Sequence, residues 1–109
     1  MRYAIATDGE QVAPHFGRCE RYTVVDIEAG EERARYDLPN PGHQPGLLPR
    51  LLDEHDVDEV VAGGAGPRAV SLLGNLDIGV CVGVTGPVQD VVGQIASGKL
   101  EGGENICEH

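Results

Sequence analysis

Aromatic side chains are scarce in this chain: 109 residues include three Tyr, one Phe and no Trp. Proteins that grip single strands of nucleic acid stack bases on aromatic rings, and little is available here for that. Positive charge is short as well, with eight Lys and Arg against eighteen Asp and Glu and a formal net charge of −10. A field of that sign repels phosphate backbones and anionic membranes, which argues against both as partners. Cysteines number three, at positions 19, 81 and 107. An odd, widely spaced set does not make a disulfide framework, so in a reducing compartment these are core residues, free thiols or metal ligands. No run approaches the roughly 20 apolar residues that span a bilayer. Met1 leads straight into Arg2-Tyr3-Ala4-Ile5-Ala6-Thr7, which reads as a strand rather than a signal peptide. The expected location is cytoplasmic.

What is present is an ordinary core-forming share of hydrophobic residues, 40%. A chain of this length and composition folds as one domain without staples. We place that domain at residues 1–100, with a polar tail over 101–109. Tyr3, Ile5 and Thr7 alternate with Ala4 and Ala6 until Asp8-Gly9, which predicts a first strand over 2–8. A polar loop runs to Arg18. Residues 22–27 read as a second strand, and 31–38 alternate charged and apolar side chains as a half-exposed edge strand does. Pro39 to Gly46 is a loop. Leu47, Leu48, Leu51 and Leu52 form a helical stripe, and Glu59 to Ala62 a fourth strand. A helix is expected over 67–76 and a fifth strand over 78–82. Val88, Val91, Val92, Ile95 and Ala96 then carry the spacing of an amphipathic helix.

Three strands followed by α-β-α-β-α predict an α/β layer fold with a five-stranded mixed sheet. Right-handed crossovers place strands four and five parallel to strand one, in the order 3-2-1-4-5 of a ribonuclease H core. Strands one, three, four and five then end at one edge. The loops at 9–18, 39–46, 63–67 and 83–87 meet there, where open α/β sheets usually bind ligands.

The pivot of that edge is Gly63-Gly64-Ala65-Gly66-Pro67-Arg68. Glycines admit unusual backbone conformations and a close approach by a ligand. Pro67 suits the first turn of a helix, and the amides after it are free to meet an anionic or electron-rich group. Arg68 adds positive charge. No Gly-Lys-Ser/Thr follows, and the glycines do not fall as G-x-G-x-x-G, so neither common nucleotide loop is present. A plain strand-to-helix turn is the alternative.

Asp8-Gly9, Val12-Ala13-Pro14-His15-Phe16-Gly17-Arg18 and Gly63-Gly64-Ala65-Gly66-Pro67-Arg68-Ala69 stand in order along this scaffold. Together they resemble the dinitrogenase iron–molybdenum cofactor-binding family, which includes NifX-type carriers and the C-terminal domain of some NifB proteins. The resemblance covers nearly the whole chain. It implies a three-layer ribonuclease H-like fold and a non-catalytic role in binding, carrying or storing an iron–sulfur-based cluster. That cargo is the iron–molybdenum cofactor, a precursor or a related cluster, with a link to nitrogen fixation and to cofactor-biosynthesis or recipient proteins.

Several residues follow as candidates, each with a simpler role beside it. His15, in a polar loop, is a ligand for iron or molybdenum or else an exposed structural His. Arg18 neutralises an anionic cluster or pairs with Glu20. Cys19 is a thiolate ligand or a small, partly buried residue. His43, in the Pro/Gly loop, is a second imidazole or solvated. Gly63, Gly64, Gly66 and Arg68 supply hydrogen bonds and positive potential. Cys107 and His109 close the tail with two donors; the nine-residue tail, ~30 Å when extended, can return to the crevice, with disorder the alternative. Cys81 reads as core and His55 as a solvated helix cap. Two rivals remain. Asp8 and Asp26 on neighbouring strands invite a metal-dependent nuclease or phosphatase-like enzyme. The glycine turn alone fits a regulatory module for a small anion.

Overall fold

The alternation of residues 2–8 is realised as strand β1 (Arg2–Asp8), the centre of a mixed sheet. The computed structural model describes residues 1–42 and 46–103. Its further elements are β2 (Gln11–Val12), β3 (Arg21–Glu28), β4 (Glu31–Pro39), α1 (Leu47–Glu54), β5 (Glu59–Val61), α2 (Pro67–Asn75), β6 (Gly79–Cys81) and α3 (Val88–Ala96).

The sheet has six strands, a correction to the five expected. The order is β4-β3-β1-β5-β6, and β2 lies off this path, paired only to β1. β2 escapes a periodicity argument because it is two residues long, a hairpin return pairing Thr7 with Val12 and Asp8 with Gln11. The turn between them carries Gly9 at φ +59°, a left-handed conformation that glycine adopts without penalty. β1 is antiparallel to β3 and β3 to β4, whereas β5 is parallel to both β1 and β6.

Side chains divide by the period of two. Ala4, Ala6, Tyr22, Val24, Val60 and Ala62 pack with Leu48 and Leu52 of α1 and Leu73 of α2. Ile5, Val25, Ile27 and Val61 pack with Val88, Val91, Val92 and Ile95 of α3. Helices therefore cover both faces of the sheet, which makes three layers. No helix among the described residues is long and apolar enough to cross a membrane.

The amino end of β1 is fastened by side chains. Arg2 donates from Nε and Nη2 to the two Asp26 oxygens at 2.6 and 3.1 Å, and from Nη1 to the His55 carbonyl at 2.6 Å. Its backbone amide donates to Asp58 at 2.7 Å. His55 is thus no bare solvated cap: its Nδ1 also lies 3.1 Å from the Tyr36 hydroxyl. The Arg2 guanidinium holds the Asp26 carboxyl below its ordinary range.

Candidate functional site

The carboxyl ends of β1, β5 and β6 are joined by backbone hydrogen bonds between the loops that leave them. Gly63 N donates to Ala13 O at 2.9 Å and Phe16 N to Gly64 O at 2.9 Å. Gly83 N donates to Gly63 O at 2.9 Å, and Val12 N to Gly86 O at 2.9 Å. Residues 13–16 are therefore clamped at both ends onto the glycine turn. His15 lies between the two clamps, half-buried, at the start of a 3₁₀ turn over Phe16–Arg18.

Phe16 anchors this loop. Its ring is 2% exposed and packs 5.5 Å from the Tyr22 ring. Its carbonyl accepts from the Tyr22 hydroxyl and from Cys19 Sγ, the latter at 3.6 Å. Asn40 ties the next loop to the same turn, its Nδ2 donating to Cys19 O at 2.8 Å and to Gly17 O at 3.3 Å. Neither role was among the expectations. The available signals were the presence of one Phe only, ahead of a strand that starts with Tyr22, and an Asn flanked by prolines, a residue whose side chain readily bonds nearby backbone.

His15, Gly63 and Gly64 are brought together by the two clamps. Gly66 caps α2 in an extended conformation, φ −68° and ψ 158°, with Pro67 at the first helical position. The amides of Arg68 and Ala69 follow in the first turn, which has no intrahelical acceptors for them. Arg68 is exposed there. Arg18 is exposed at the end of the 3₁₀ turn. Of the two roles weighed for Arg18, the surface pair with Glu20 is not made; Glu20 contacts Arg21 at 2.6 Å instead. Among the described residues, Arg18 and Arg68 enter none of the ion pairs.

The glycines act differently from the expectation. None of Gly63, Gly64 or Gly66 has a positive φ; left-handed backbone occurs instead in the adjoining loop, at Gly83 (+76°) and Gly86 (+100°). Gly63 and Gly64 are buried under the His15 loop, whereas a Cβ on Gly66 would meet open space.

Cys19 lies inside the core at 6% exposure, and burial pushes its thiol pKa up. His43, Cys107 and His109 lie outside the described residues. Among the described residues no group of three His, Cys, Asp or Glu could hold a metal ion. The tail does come back towards the crevice as far as it is described. Gly103 N donates to Val82 O at 2.8 Å, and a Cβ on Gly83 would fall 2.2 Å from the Gly103 carbonyl carbon.

Asp8 and Asp26 do not form a carboxylate pair. Asp8 accepts from Glu20 N at 2.8 Å at the carboxyl end of β1, while Asp26 pairs in register with Arg2 at the amino end. Six residues of strand, ~20 Å, separate the two positions.

A glycine turn and a histidine loop locked together at one sheet edge define this chain's class as a small three-layer α/β domain, with its loops gathered where open α/β sheets usually bind ligands. The family described as dinitrogenase iron-molybdenum cofactor matches residues 1–98, and the chain belongs to that family. It is 30% identical over 106 residues to an uncharacterized protein of Methanocaldococcus jannaschii, covering 93% of this chain and 90% of that one. The crystal structure of the protein PH0822 shares 31% identity at a TM-score of 0.89, with each chain covered in full (100%). The apo form of the orange protein from Desulfovibrio gigas shares the fold at 23% identity and a TM-score of 0.78, covering 95% of this chain and 93% of that one. Family membership points to a role connected with the iron–molybdenum cofactor.

Proposed function

We propose that this chain is a non-catalytic cytoplasmic carrier or storage protein for an iron–sulfur-based cluster: the iron–molybdenum cofactor, a precursor or a related metal–sulfide cluster. The cargo is held at the carboxyl edge of a ribonuclease H-like sheet. The observation that carries this reading is the double clamp, Gly63 N to Ala13 O and Phe16 N to Gly64 O, which fixes the loop bearing His15 against the glycine turn.

The donors suit such a cargo. Imidazole is a good ligand for iron and must be neutral to bind, so uptake weakens on acidification. The guanidinium groups of Arg18 and Arg68 offset the negative charge of a sulfide cluster, and the first-turn amides of α2 add hydrogen bonds to it. Cys19 would need its loop to open before a thiolate could form, so the inner-sphere role falls first to His15. Further donors come from His43 and from Cys107 and His109. Six residues follow Gly103, enough for ~20 Å of extended chain. Few protein ligands suit a protein that must hand its cargo to a recipient.

The test is anaerobic purification with iron, molybdenum and sulfide analysis, followed by uptake of an extracted or synthetic cluster by wild type and His15→Ala. Bound iron with visible charge-transfer absorption, lost in the variant, is the expected result. No uptake by wild type would remove the carrier reading.

A second reading has its own support in Arg68 in the first turn of α2, which enters none of the ion pairs among the described residues: a regulatory module that binds a small anion. It requires Arg68→Ala to abolish binding of that anion while His15→Ala leaves it intact.

A further inference from the structure

On the α3 face of the sheet, a cleft of about 210 Å³ is lined by Tyr3, Glu59, Cys81, Ile95, Gly98 and Leu100. Gly98 lines it, and Gly79 lies beside Glu59 on the neighbouring strand. Gly79, the partner of Glu59 in the β5–β6 ladder, has no side chain, and the Glu59 carboxylate leans into the gap, its Oε1 3.1 Å from where a Gly79 Cβ would stand. Gly98, just past the Ser97 cap of α3, has φ +72°, and a Cβ there would meet open space.

The one charged residue in the lining is a carboxylate. Glu59 is half-buried, its side chain enters none of the hydrogen bonds or ion pairs among the described residues, and burial raises its carboxyl pKa. The last turn of α3 carries no basic residue, so its carboxyl end favours positive charge; Lys99, between Gly98 and Leu100, is exposed and caps that end through its amide, which donates to Gln94 O at 2.8 Å. None of the six lining residues is basic. Burial and the Glu59 charge both push the Cys81 thiol pKa up, so a thiolate is disfavoured. Two titratable donors of this kind fall short of a metal site, which usually takes three or more protein ligands. Ile95, Leu100 and the Tyr3 ring supply an apolar lining.

We propose that this cleft binds a small organic cation, an ammonium group on an aliphatic body. The charge faces the Glu59 carboxylate and the end of α3, and the body lies against Ile95, Leu100 and Tyr3. This site is separate from the loop crevice and does not depend on the carrier reading. A free alkylamine and the lysine side chain of a partner share the chemistry.

The experiment is an NMR titration of the full chain with n-butylammonium, and with 1-butanol as the neutral control. Saturable shifts at Tyr3, Glu59, Cys81, Ile95 and Leu100 are expected, with butanol binding more than fivefold weaker. Glu59→Gln and Gly79→Ala should each weaken butylammonium more than fivefold while circular dichroism shows the fold intact, and His15→Ala should bind as wild type. Failure of the cluster experiment with this result in hand would sink only the carrier reading. A loss of fivefold or less in Glu59→Gln, equal binding of butanol, or shifts confined to other residues would overturn the proposal. Nα-acetyl-lysine amide as a second probe separates the sources: binding at least as tight as butylammonium assigns a lysine side chain, and weaker binding assigns a free amine.

Discussion

Arg2 at the amino end of β1 and the 13–16 loop beyond its carboxyl end are fastened by different means. At the first, charged and polar side chains of Arg2, Asp26, His55, Tyr36 and Asp58 bond one another and the backbone. At the second, residues 13–16 meet the glycine turn through backbone amides, uncharged side chains of Tyr22, Cys19 and Asn40 bond the backbone of the turn that follows, and Arg18 and Arg68 enter none of the ion pairs among the described residues. Charged side chains hold the first end, whereas the clamp onto the glycine turn at the second is made by the main chain. Side chains needed for holding the fold cannot also be offered to a ligand, and backbone bonds leave them available.

The sharpest way to break this division is at the anchor that belongs to both. Phe16→Ala removes a buried ring and should cost about 3–5 kcal/mol. For a chain of this size each kcal/mol is worth roughly 4–8 °C in Tm, so thermal denaturation should show a fall of more than ten degrees, accompanied by loss of cluster uptake. A variant that melts normally would show that the loop is not held by this ring. Gly83→Ala comes next, because it places a side chain at φ +76° against Gly103. The left-handed backbone alone costs about 1–2 kcal/mol. Limited proteolysis should cut near residue 103 faster than in wild type, and unchanged cleavage would count against the packing of Gly103 on Gly83.

Asp26→Asn tests the opposite end. The pair with Arg2 is partly exposed, and its loss should cost about 1 kcal/mol. Because Arg2 depresses the Asp26 pKa, the stabilisation is complete above the ordinary aspartate value near 4 and disappears as pH falls through the lower folded value. Melting curves of wild type and Asp26→Asn should therefore differ at neutral pH and converge in acid; a gap that persists in acid would contradict the assignment. The smallest stability change belongs to Arg68→Ala, within about 0.5 kcal/mol as for other exposed sites, yet cluster uptake should weaken measurably. If Arg68→Ala lowers Tm by several degrees instead, the carboxyl end is also held by charged side chains and the contrast fails.

Much of the scaffold could be read from periodicity. The alternation at 2–8 and the i, i+3, i+4 spacing from Val88 onward each placed an element to within a residue. The glycine turn and the His15 loop were singled out by composition and order, and the backbone does bring them together. What escaped was tertiary in origin. β2 exists because β1 continues past Asp8 into a hairpin, and two residues carry no period. Phe16, in a loop that looked polar, is core because its carbonyl and ring are both claimed by Tyr22. Cys19, read as a thiolate ligand or a small, partly buried residue, is buried beside it. Arg21, flanked by Glu20 in sequence and by Asp37 across the β3–β4 pair, holds the acid that one of the two readings gave to Arg18.

The Gly102–Gly103 segment beside β6 has a bearing on how the molecule behaves among its own copies. An open strand edge offers unpaired amides and carbonyls to any other extended chain. Gly103 occupies the Val82 carbonyl at one margin of the sheet, just past the end of β6. At the other margin β4 presents Glu31, Glu32, Arg33 and Arg35, a charged border on which another strand would sit poorly. Shortening the chain to residue 98 would strip the first guard while leaving the helices and strands intact. The penalty would appear as a lower solubility ceiling, from strand-to-strand association at β6, rather than as a loss of fold.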